Sequence, residues 1–402
     1  MKNIKKNPFI ALIGALTLSA SAAAVNCTDT PQNLYGGDQD DLRDALQQAT
    51  NTGRPLTITG TYYISKDLKV YLKKDLKVNA TGANFIATSA LDGDLFSIDS
   101  NDTKSKECSS AGQLANVSWN GGHFNMANAK VSTVVPYTAL TPSNKKGTKA
   151  TADALSVRGV TNGGASKLNH LEIKNIIFNG THSSSAPFYK AGGDSGILMT
   201  GALRATITNN QFYGVRDAAI YVSAGGDNGR YGDHFNLSNN YIERAFDGIT
   251  SKRGADNIKM RNNTMVDVVV GLSIKRVFSG WTATNVTILD NDISKSVRPI
   301  SVERANNVVI EDNTISDLGA VVNGETSPRN KYGSHYEGIS LNGVQGNNSI
   351  RNNRIDGVFG NGREGTTTTY GIVTRAEDGR ETTGENIRNN SFSKLDKWVK
   401  RF

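Results

Sequence analysis

A phrase that recurs seven times constrains this chain more than any other feature of its sequence. It consists of a short strand-forming run, a polar residue, an Asn, one further residue and an apolar residue, as in Ile207-Thr-Asn-Asn210-Gln-Phe212. The recurring asparagines are Asn210, Asn240, Asn263, Asn291, Asn313, Asn353 and Asn390. Their separations are 30, 23, 28, 22, 40 and 37 residues, so the shortest two indicate a basic coil of about 22 residues. Such a period is typical of solenoids, whose coils bury apolar surface only by stacking.

The residues between the asparagines favour strands. Apolar residues alternate with polar ones, and Val, Ile and Thr are abundant, while helical periodicity is nearly absent after residue 60. Leucine-rich repeats are excluded because no helical half follows each strand. Asn tolerates left-handed backbone geometry and bonds neighbouring backbone groups. We therefore expect the asparagines to stack in one column at one turn.

One early stretch has helical periodicity. From Asp40 to Ala49, the residues Leu42, Ala45 and Leu46 share one face. Open solenoid ends need covering, so this helix is predicted to be the N-terminal cap, and the tail 395–402 could cover the other end. No Pro- or Ser-rich linker divides the chain, so residues 25–402 are predicted to form a single domain.

The N-terminus predicts export. Three lysines precede an uncharged run from Phe9 to Ala24 that ends in three alanines, which is the pattern of a secretory signal peptide over residues 1–24. The run has 16 residues, fewer than the ~20 of a spanning helix, so we expect no membrane insertion. The mature protein would reach the periplasm or the medium. Cys27 and Cys108 could then form a disulfide, and two free thiols are the alternative.

The charge balance says little about partners. The formal charge is +8, and removing the three leader lysines leaves 8 − 3 = +5, which weakly favours acidic partners. The positive charges are spread along the chain without an arginine-rich tract, so nucleic acid is not expected as a partner. The oligomeric state cannot be read from the sequence.

The repeat resembles the pectate-lyase-like superfamily over about residues 35–394. This resemblance implies an all-β, single-stranded right-handed parallel β-helix, a solenoid with an N-terminal capping helix. The superfamily includes lyases, hydrolases, epimerases and phage tailspikes, so the resemblance implies a fold and leaves the chemistry open.

Every coil contains a second strand, and the alternation of its side chains predicts two rows of outward-pointing residues. Aligning the coils on one inward apolar residue places a polar residue three positions later, which we call the floor row. Its members are Arg158, Thr200, Ser223, Lys252, Lys275, Glu303, Asn342 and Arg375. The second row lies two residues earlier and contains Ser156, Leu198, Tyr221, Thr250, Ser273, Ser301, Ser340 and Val373. Neighbouring coils are ~4.8 Å apart, so we expect these side chains to stack along one face.

Insertions border this face. Residues 130–153, 181–195, 321–337 and 360–370 precede the strand, and residues 224–232 and 277–284 follow it. They are predicted to form the walls of a groove. The predicted wall aromatics are Phe188, Tyr189, Tyr231, Trp281, Tyr332, Tyr336 and Tyr370. A polar floor with aromatic walls suits a polysaccharide, for which the candidate contacts are Arg158, Tyr221, Arg253, Trp281, Arg304, Tyr336, Asn342, Tyr370 and Arg375. The alternative is an ordinary solvated face without a function.

One segment resembles the lyase family of chondroitinase B and certain alginate lyases. Asp247-Gly-Ile-Thr-Ser-Lys252 matches that family's acidic residue and catalytic Lys, and Gly271-Leu-Ser-Ile-Lys275-Arg276 approximates the strand that carries its catalytic Arg. The resemblance implies β-elimination on an acidic polysaccharide, with Lys252 as the base and Lys275 or Arg276 neutralising the carboxylate or positioning the leaving group. Glu303 would orient one of these lysines. The family's calcium site is reduced to Asp247, so Ca²⁺ is possible but no cofactor is required.

Two other functions remain open at this stage. A glycoside hydrolase needs two carboxyls ~5–9.5 Å apart, for which Asp217, Asp247, Glu303 and Glu337 are candidates. His335 is a further candidate for proton transfer. The third possibility is a non-catalytic protein that binds or guides an exopolysaccharide.

Overall fold

The chain folds into a stack of parallel strands that begins with one helix. The computed structural model describes residues 27–100, 108, 114–129, 153–159, 168–180, 195–224, 232–275, 281–320, 335–358 and 368–402. The predicted signal peptide, Arg276 and most of the predicted groove walls, with Phe188, Tyr189, Tyr231 and Tyr332, lie outside these residues.

Within the described ranges, a helix α1 (Gln39–Thr52) and 29 strands are present. The first strands are β1 (Leu34–Tyr35), β2 (Leu56–Ile64), β3 (Leu68–Tyr71), β4 (Leu76–Asn79), β5 (Ala83–Ala87), β6 (Phe96–Asp99), β7 (Ala115–Asn120), β8 (His123–Asn125), β9 (Leu155–Arg158), β10 (Leu168–Lys174), β11 (Ile177–Asn179), β12 (Ile197–Thr200), β13 (Ala202–Thr208) and β14 (Gln211–Ser223). The next are β15 (Asp233–Ser238), β16 (Tyr241–Lys252), β17 (Asp256–Arg261), β18 (Thr264–Lys275), β19 (Ala283–Leu289), β20 (Asp292–Glu303), β21 (Ala305–Glu311) and β22 (Thr314–Leu318). The last are β23 (His335–Asn342), β24 (Asn348–Arg351), β25 (Arg354–Gly357), β26 (Thr368–Arg375), β27 (Glu385–Arg388), β28 (Ser391–Ser393) and β29 (Lys397–Arg401).

Each strand pairs in parallel with its equivalent in the next coil, which confirms the predicted period. Ile207 in β13 is in register with Leu237 in β15, and the same column continues coil by coil to Ile387 in β27. These apolar side chains point inward, and all but Ile387 are fully buried. Stacking the coils therefore builds one continuous core.

The seven asparagines form the predicted column. From Asn210 to Asn390, each Nδ2 donates to the Oδ1 of the next Asn at 2.8–3.1 Å. Each Oδ1 after the first also accepts the backbone N–H of the preceding Asn. The left-handed backbone falls on the residue before the ladder Asn, as at Asn209 with a φ of 59°. At each of these turns, one residue adopts the left-handed backbone conformation. The Asn that follows it forms the hydrogen bonds of the column.

Removing one ladder residue is expected to destabilise the fold. The fully buried Asn263 carboxamide donates to Leu237 O and Asn291 Oδ1 and accepts from Asn240 N and Nδ2. Asn263→Ala leaves several of these groups without partners, so the free energy of unfolding should fall by about 2–4 kcal/mol. Denaturant titration measures this loss. The control Asn386→Ala, at an exposed strand position, should change stability by less than about 0.5 kcal/mol.

The N-terminal helix covers the first coils, as predicted, although it is longer than predicted. Its first backbone groups are capped by the Asp38 side chain, which accepts from Asp40 N, and it ends at Gly53, whose φ of 73° suits glycine. Leu42 and Leu46 are buried against the first strands. No helix in the described ranges is both long and apolar enough to cross a membrane.

Cys27 and Cys108 form a disulfide with a Cα–Cα distance of 5.2 Å, as predicted. The prediction that the C-terminal tail caps the other end is wrong. Residues 397–401 form β29, which pairs in parallel with β26 and adds one more rung. Trp398 and Phe402 remain 62% and 59% exposed there.

Candidate functional site

The register confirms how the outward rows align. The first five members of the floor row follow one another in register across five coils, in the order Arg158, Thr200, Ser223, Lys252 and Lys275. Glu303, Asn342 and Arg375 continue the column, since Lys275 and Glu303 each follow the paired residues Ile274 and Val302. The residues that were predicted to form the floor row therefore lie next to one another on successive coils.

The burial of this row differs from the prediction. Arg158 is exposed and Thr200, Lys252 and Lys275 are partly exposed, whereas Ser223 and Asn342 are fully buried. Glu303 retains only 7% of its surface. The more accessible members of the floor row are thus Arg158, Thr200, Lys252 and Lys275, with Arg375 partly exposed at the other end.

The centre of that half is an ion pair between Lys275 and Asp247. Lys275 Nζ donates to Asp247 Oδ2, which also accepts from Thr250 Oγ1 at 3.1 Å. Ser273 lies 2.8 Å from Thr250 Oγ1 and continues the network. Burial opposes the charge of Lys275, but the Asp247 carboxylate outweighs it, so the pKa of Lys275 is raised. Lys275 is therefore held as a cation.

The pKa of Lys252, one coil away, is shifted in the opposite direction. Its Nζ lies 4.3 Å from the centroid of the Tyr221 ring, a cation–π distance. Burial lowers the pKa of Lys252, and the charge of the neighbouring Lys275 lowers it further. Burial also raises the pKa of Tyr221, so its hydroxyl keeps its proton at higher pH than a free tyrosine. The site thus combines a lysine whose pKa is raised, a lysine whose pKa is lowered and a tyrosine whose pKa is raised.

Asp247, the acid left of the calcium site that the resemblance allowed, is paired with Lys275. Its Oδ2 is occupied by Lys275 and Thr250, while its buried Oδ1 has no hydrogen-bond partner in the described part of the chain. No group of three His, Cys, Asp or Glu side chains among the described residues could hold a metal ion. Among the described residues, the cation beside Asp247 Oδ2 is the Lys275 ammonium.

A second ionic cluster is buried farther along. Glu337, which has no exposed surface, accepts from Arg375 Nη2 at 2.7 Å and Nη1 at 3.1 Å. Arg298 Nε lies 3.4 Å from the Glu337 Oε2 atom. Burial tends to raise the pKa of Glu337, but the two arginines outweigh it and the pKa is lowered. Glu337 and Arg375 form an ion pair inside the protein with Arg298 beside it, which favours a structural role for the cluster.

Arg298 is a member of this cluster that was not predicted from the sequence, although its position in the repeat holds a charged residue in two other coils. Asp247, Val270 and Arg298 are in register two positions before the inward apolar residue, and Glu337 has the same place in its own coil. Opposite charges at one repeat position therefore indicated a buried ionic column.

Several candidate contacts are corrected by burial. Tyr336 was predicted to line a wall, but it is fully buried in the core and cannot reach a ligand. Asn342 is also fully buried, and its Oδ1 accepts from Arg375 Nη1 at 3.3 Å. Tyr370 is 6% exposed and packs edge-on against His335, with ring centroids 5.2 Å apart.

The remaining candidates are more accessible. Trp281 and Arg253 are partly exposed, and Arg253 follows Lys252 in a left-handed turn with a φ of 66°. Arg304 Nη1 lies 3.6 Å from Asp378 Oδ2. The structure therefore brings together Tyr221, Asp247, Lys252 and Lys275, and it assigns Arg375 to the buried cluster.

A comparison with solved structures found similar chains at low sequence identity. A surface adhesin of Streptococcus pneumoniae, PfbA, is 14% identical, with 90% of this chain and 95% of that chain covered and a TM-score of 0.46. The A-module of the Azotobacter vinelandii mannuronan C-5 epimerase AlgE4 is 15% identical, with 92% and 97% covered and a TM-score of 0.43. The Dettilon tailspike protein is 12% identical, with 90% and 64% covered and a TM-score of 0.38.

Among curated proteins, no sequence match was found. The family described as right handed beta helix region matches residues 195–396, which is half of the chain. This match agrees with the parallel pairing of the strands and adds the hand of the solenoid. The chain belongs to the right-handed beta helix family.

Proposed function

We propose that this protein is an exported lyase that cleaves an acidic polysaccharide by β-elimination in the groove above Lys252 and Lys275. The observation that carries the proposal is that the pKa values of two lysines on neighbouring coils are shifted in opposite directions. The pKa of Lys252 is lowered by burial and by Lys275, while Asp247 raises the pKa of Lys275. Groups whose environments move their pKa values apart are suited to separate base and electrostatic roles.

The chemistry divides among three side chains. Neutral Lys252 would remove the proton next to a uronate carboxylate, and the cation of Lys275 would stabilise the negative charge that develops there. The electron pair of the broken C–H bond forms the new double bond as the neighbouring C–O bond breaks. Tyr221, whose ring lies under Lys252, would protonate the departing oxygen. Arg276 and Glu303 remain proposed helpers in orienting the lysines and the carboxylate.

Substrate contacts extend the proposal along the groove. Arg158, Arg253, Arg304 and Trp281 are the accessible candidates for holding an anionic chain, since guanidinium groups pair with carboxylates in a two-point geometry. The reaction would take place in the periplasm or the medium, because the N-terminal residues have the pattern of a secretory signal peptide.

A hydrolase in this groove is less well supported. Two of its candidate carboxyls, Asp247 and Glu337, are held in buried ion pairs with Lys275 and Arg375. A carboxylate that is held ionised in this way does not readily supply a proton as a general acid.

A panel of acidic and neutral polysaccharides tests the proposal. We expect one acidic polymer to yield products with the ultraviolet absorbance of unsaturated uronates. New reducing ends without that absorbance would indicate a hydrolase instead. Binding without either product would indicate the non-catalytic protein.

The rate of elimination is expected to rise with pH. Lys252 acts as a base only when neutral, and its pKa lies below the ordinary lysine value, so activity should appear as pH rises through that lowered value. It should fall again where Tyr221, with its raised pKa, loses its proton. A pH–rate profile checks this, and an acid limb no lower than that of a free lysine would contradict the base assignment.

Chelation is expected to leave activity unchanged. The Lys275 cation neutralises charge beside Asp247, so no step of the proposed reaction uses calcium. Turnover should be equal before and after dialysis against EDTA. A loss that added Ca²⁺ restores would show that a metal site is required.

A further inference from the structure

A second polar cleft lies on the same face, nearer the N-terminus. It has a volume of about 140 Å³ and lies between β3, β6 and β9. Asp99 in β6 is in register with Arg158 in β9, so the cleft adjoins the first positions of the floor row. Arg158 and Lys252 are three coils apart, or about 14 Å along the face. The cleft therefore lies within reach of a polymer bound at Lys252.

Two carboxyls in the cleft share one hydroxyl. Ser97 Oγ lies 3.1 Å from Asp67 Oδ2 and 2.9 Å from Asp94 Oδ2. A serine hydroxyl has one hydrogen to donate, so it can satisfy only one of these acceptors at a time. The other carboxyl oxygen keeps hydrogen-bonding capacity directed at the cleft.

A fully buried hydroxyl beside this pair has no partner. Ser156 follows Ser97 in register on the next coil, lines the cleft and has no exposed surface. Its Oγ makes no hydrogen bond within the described residues. A buried polar atom without a partner costs free energy, so a ligand atom that pairs with Ser156 would gain that amount on binding.

The cleft carries charges of both signs, which suits a hydroxylated ligand that also bears a carboxylate, and the described residues contain no group of three His, Cys, Asp or Glu side chains that could hold a metal ion. Arg158 and Lys69 also line it, and Lys69 Nζ lies 3.4 Å from Asp99 Oδ2. Three aspartates and two cations line the cleft, and the cations Arg158 and Lys69 can hold a carboxylate of an acidic sugar. A sugar hydroxyl can donate to a carboxyl oxygen and exchange a hydrogen bond with Ser156.

We infer that this cleft is a distal subsite that binds one saccharide unit of the polymer, with Asp67 and Asp94 accepting from its hydroxyls, Ser156 hydrogen-bonded to it and Arg158 facing its carboxylate. The inference rests on the proposed function for the identity of the polymer. It adds a contact about three coils from the reaction centre, so chains long enough to span both should bind more tightly than short ones.

Calorimetric titration of uronic-acid oligosaccharides from dimer to octamer tests the subsite. Ser156→Ala should weaken binding of the longest oligosaccharides by about three- to tenfold, and Asp94→Asn by about tenfold or more, with no effect on the dimer. Ser156→Ala removes an unpartnered hydroxyl, so thermal unfolding should show an unchanged fold. Ser100→Ala is the matched control, because its hydroxyl is also buried and unpartnered but does not line the cleft.

The outcomes separate this inference from the proposed lyase. If Ser156→Ala binds every length as the wild type does, or if the wild type binds none of the oligosaccharides, the subsite is refuted. A titration with Ca²⁺ alone that is abolished by Asp94→Asn would also refute it, in favour of a metal site. Length-dependent binding without an unsaturated product refutes only the elimination chemistry.

Discussion

Lys252→Ala is expected to lower turnover by about 10²–10⁴-fold, the usual effect of removing a general base. The side chain lies on the outward face, one coil from Lys275, and its ammonium rests over the Tyr221 ring. Its loss removes the proton acceptor while Lys275 stays paired with Asp247. Initial rates of unsaturated product formation on the polymer identified by the panel measure the effect.

The conservative variant sharpens this test. Lys252→Arg should be as inactive as Lys252→Ala, because a guanidinium does not lose its proton at working pH. Lys259→Ala is the matched control, since Lys259 is an exposed lysine on another column of strands, and it should retain the wild-type rate. Near-normal turnover by Lys252→Ala would show that another group is the base, and Glu303 would be the next carboxyl to examine.

Glu337→Gln is expected to reduce the free energy of unfolding by about 3–5 kcal/mol, as is typical when one partner of a buried ion pair is removed. The substitution keeps the shape of the side chain but removes the carboxylate that pairs with Arg298 and Arg375. Both arginines are largely buried, with 7% and 11% of their side chains exposed. Denaturant titration measures the loss.

Glu385→Gln is the control for this second prediction. Glu385 pairs with Arg401, whose side chain is 65% exposed, so its replacement should cost only about 0–1 kcal/mol. A loss from Glu337→Gln as small as that of the control would contradict the structural role of the buried cluster.

The acid dependence of stability gives a second readout. The pKa of Glu337 is lowered in the fold, so its stabilisation is present above the ordinary glutamate value of ~4.3 and is lost as pH falls through the lowered value. Glu337→Gln should therefore remove part of the acid sensitivity seen in the wild type. Arg375→Ala would disturb the same cluster, so it cannot serve as a pure test of substrate binding.

The repeat by itself determined most of the fold. Asn210 and its six equivalents predicted the coil, the column and the turn, because a solenoid imposes the same local geometry on each repeat and any residue that satisfies it recurs at a fixed place. The same regularity predicted which residues of the floor row are neighbours, including Lys252 and Lys275. The disulfide was predicted from the two cysteines and from the expectation of export.

Only the tertiary structure decided what those neighbours do. The period of a strand says whether a side chain points in or out, but it does not say what covers it, so the burial of Tyr336 and Asn342 was not predictable. Nor does it reveal that Asp247 pairs with Lys275, or that Arg298 and Arg375 meet at Glu337. Burial and charge pairing depend on distances between coils, and these distances set the opposite pKa shifts of Lys252 and Lys275.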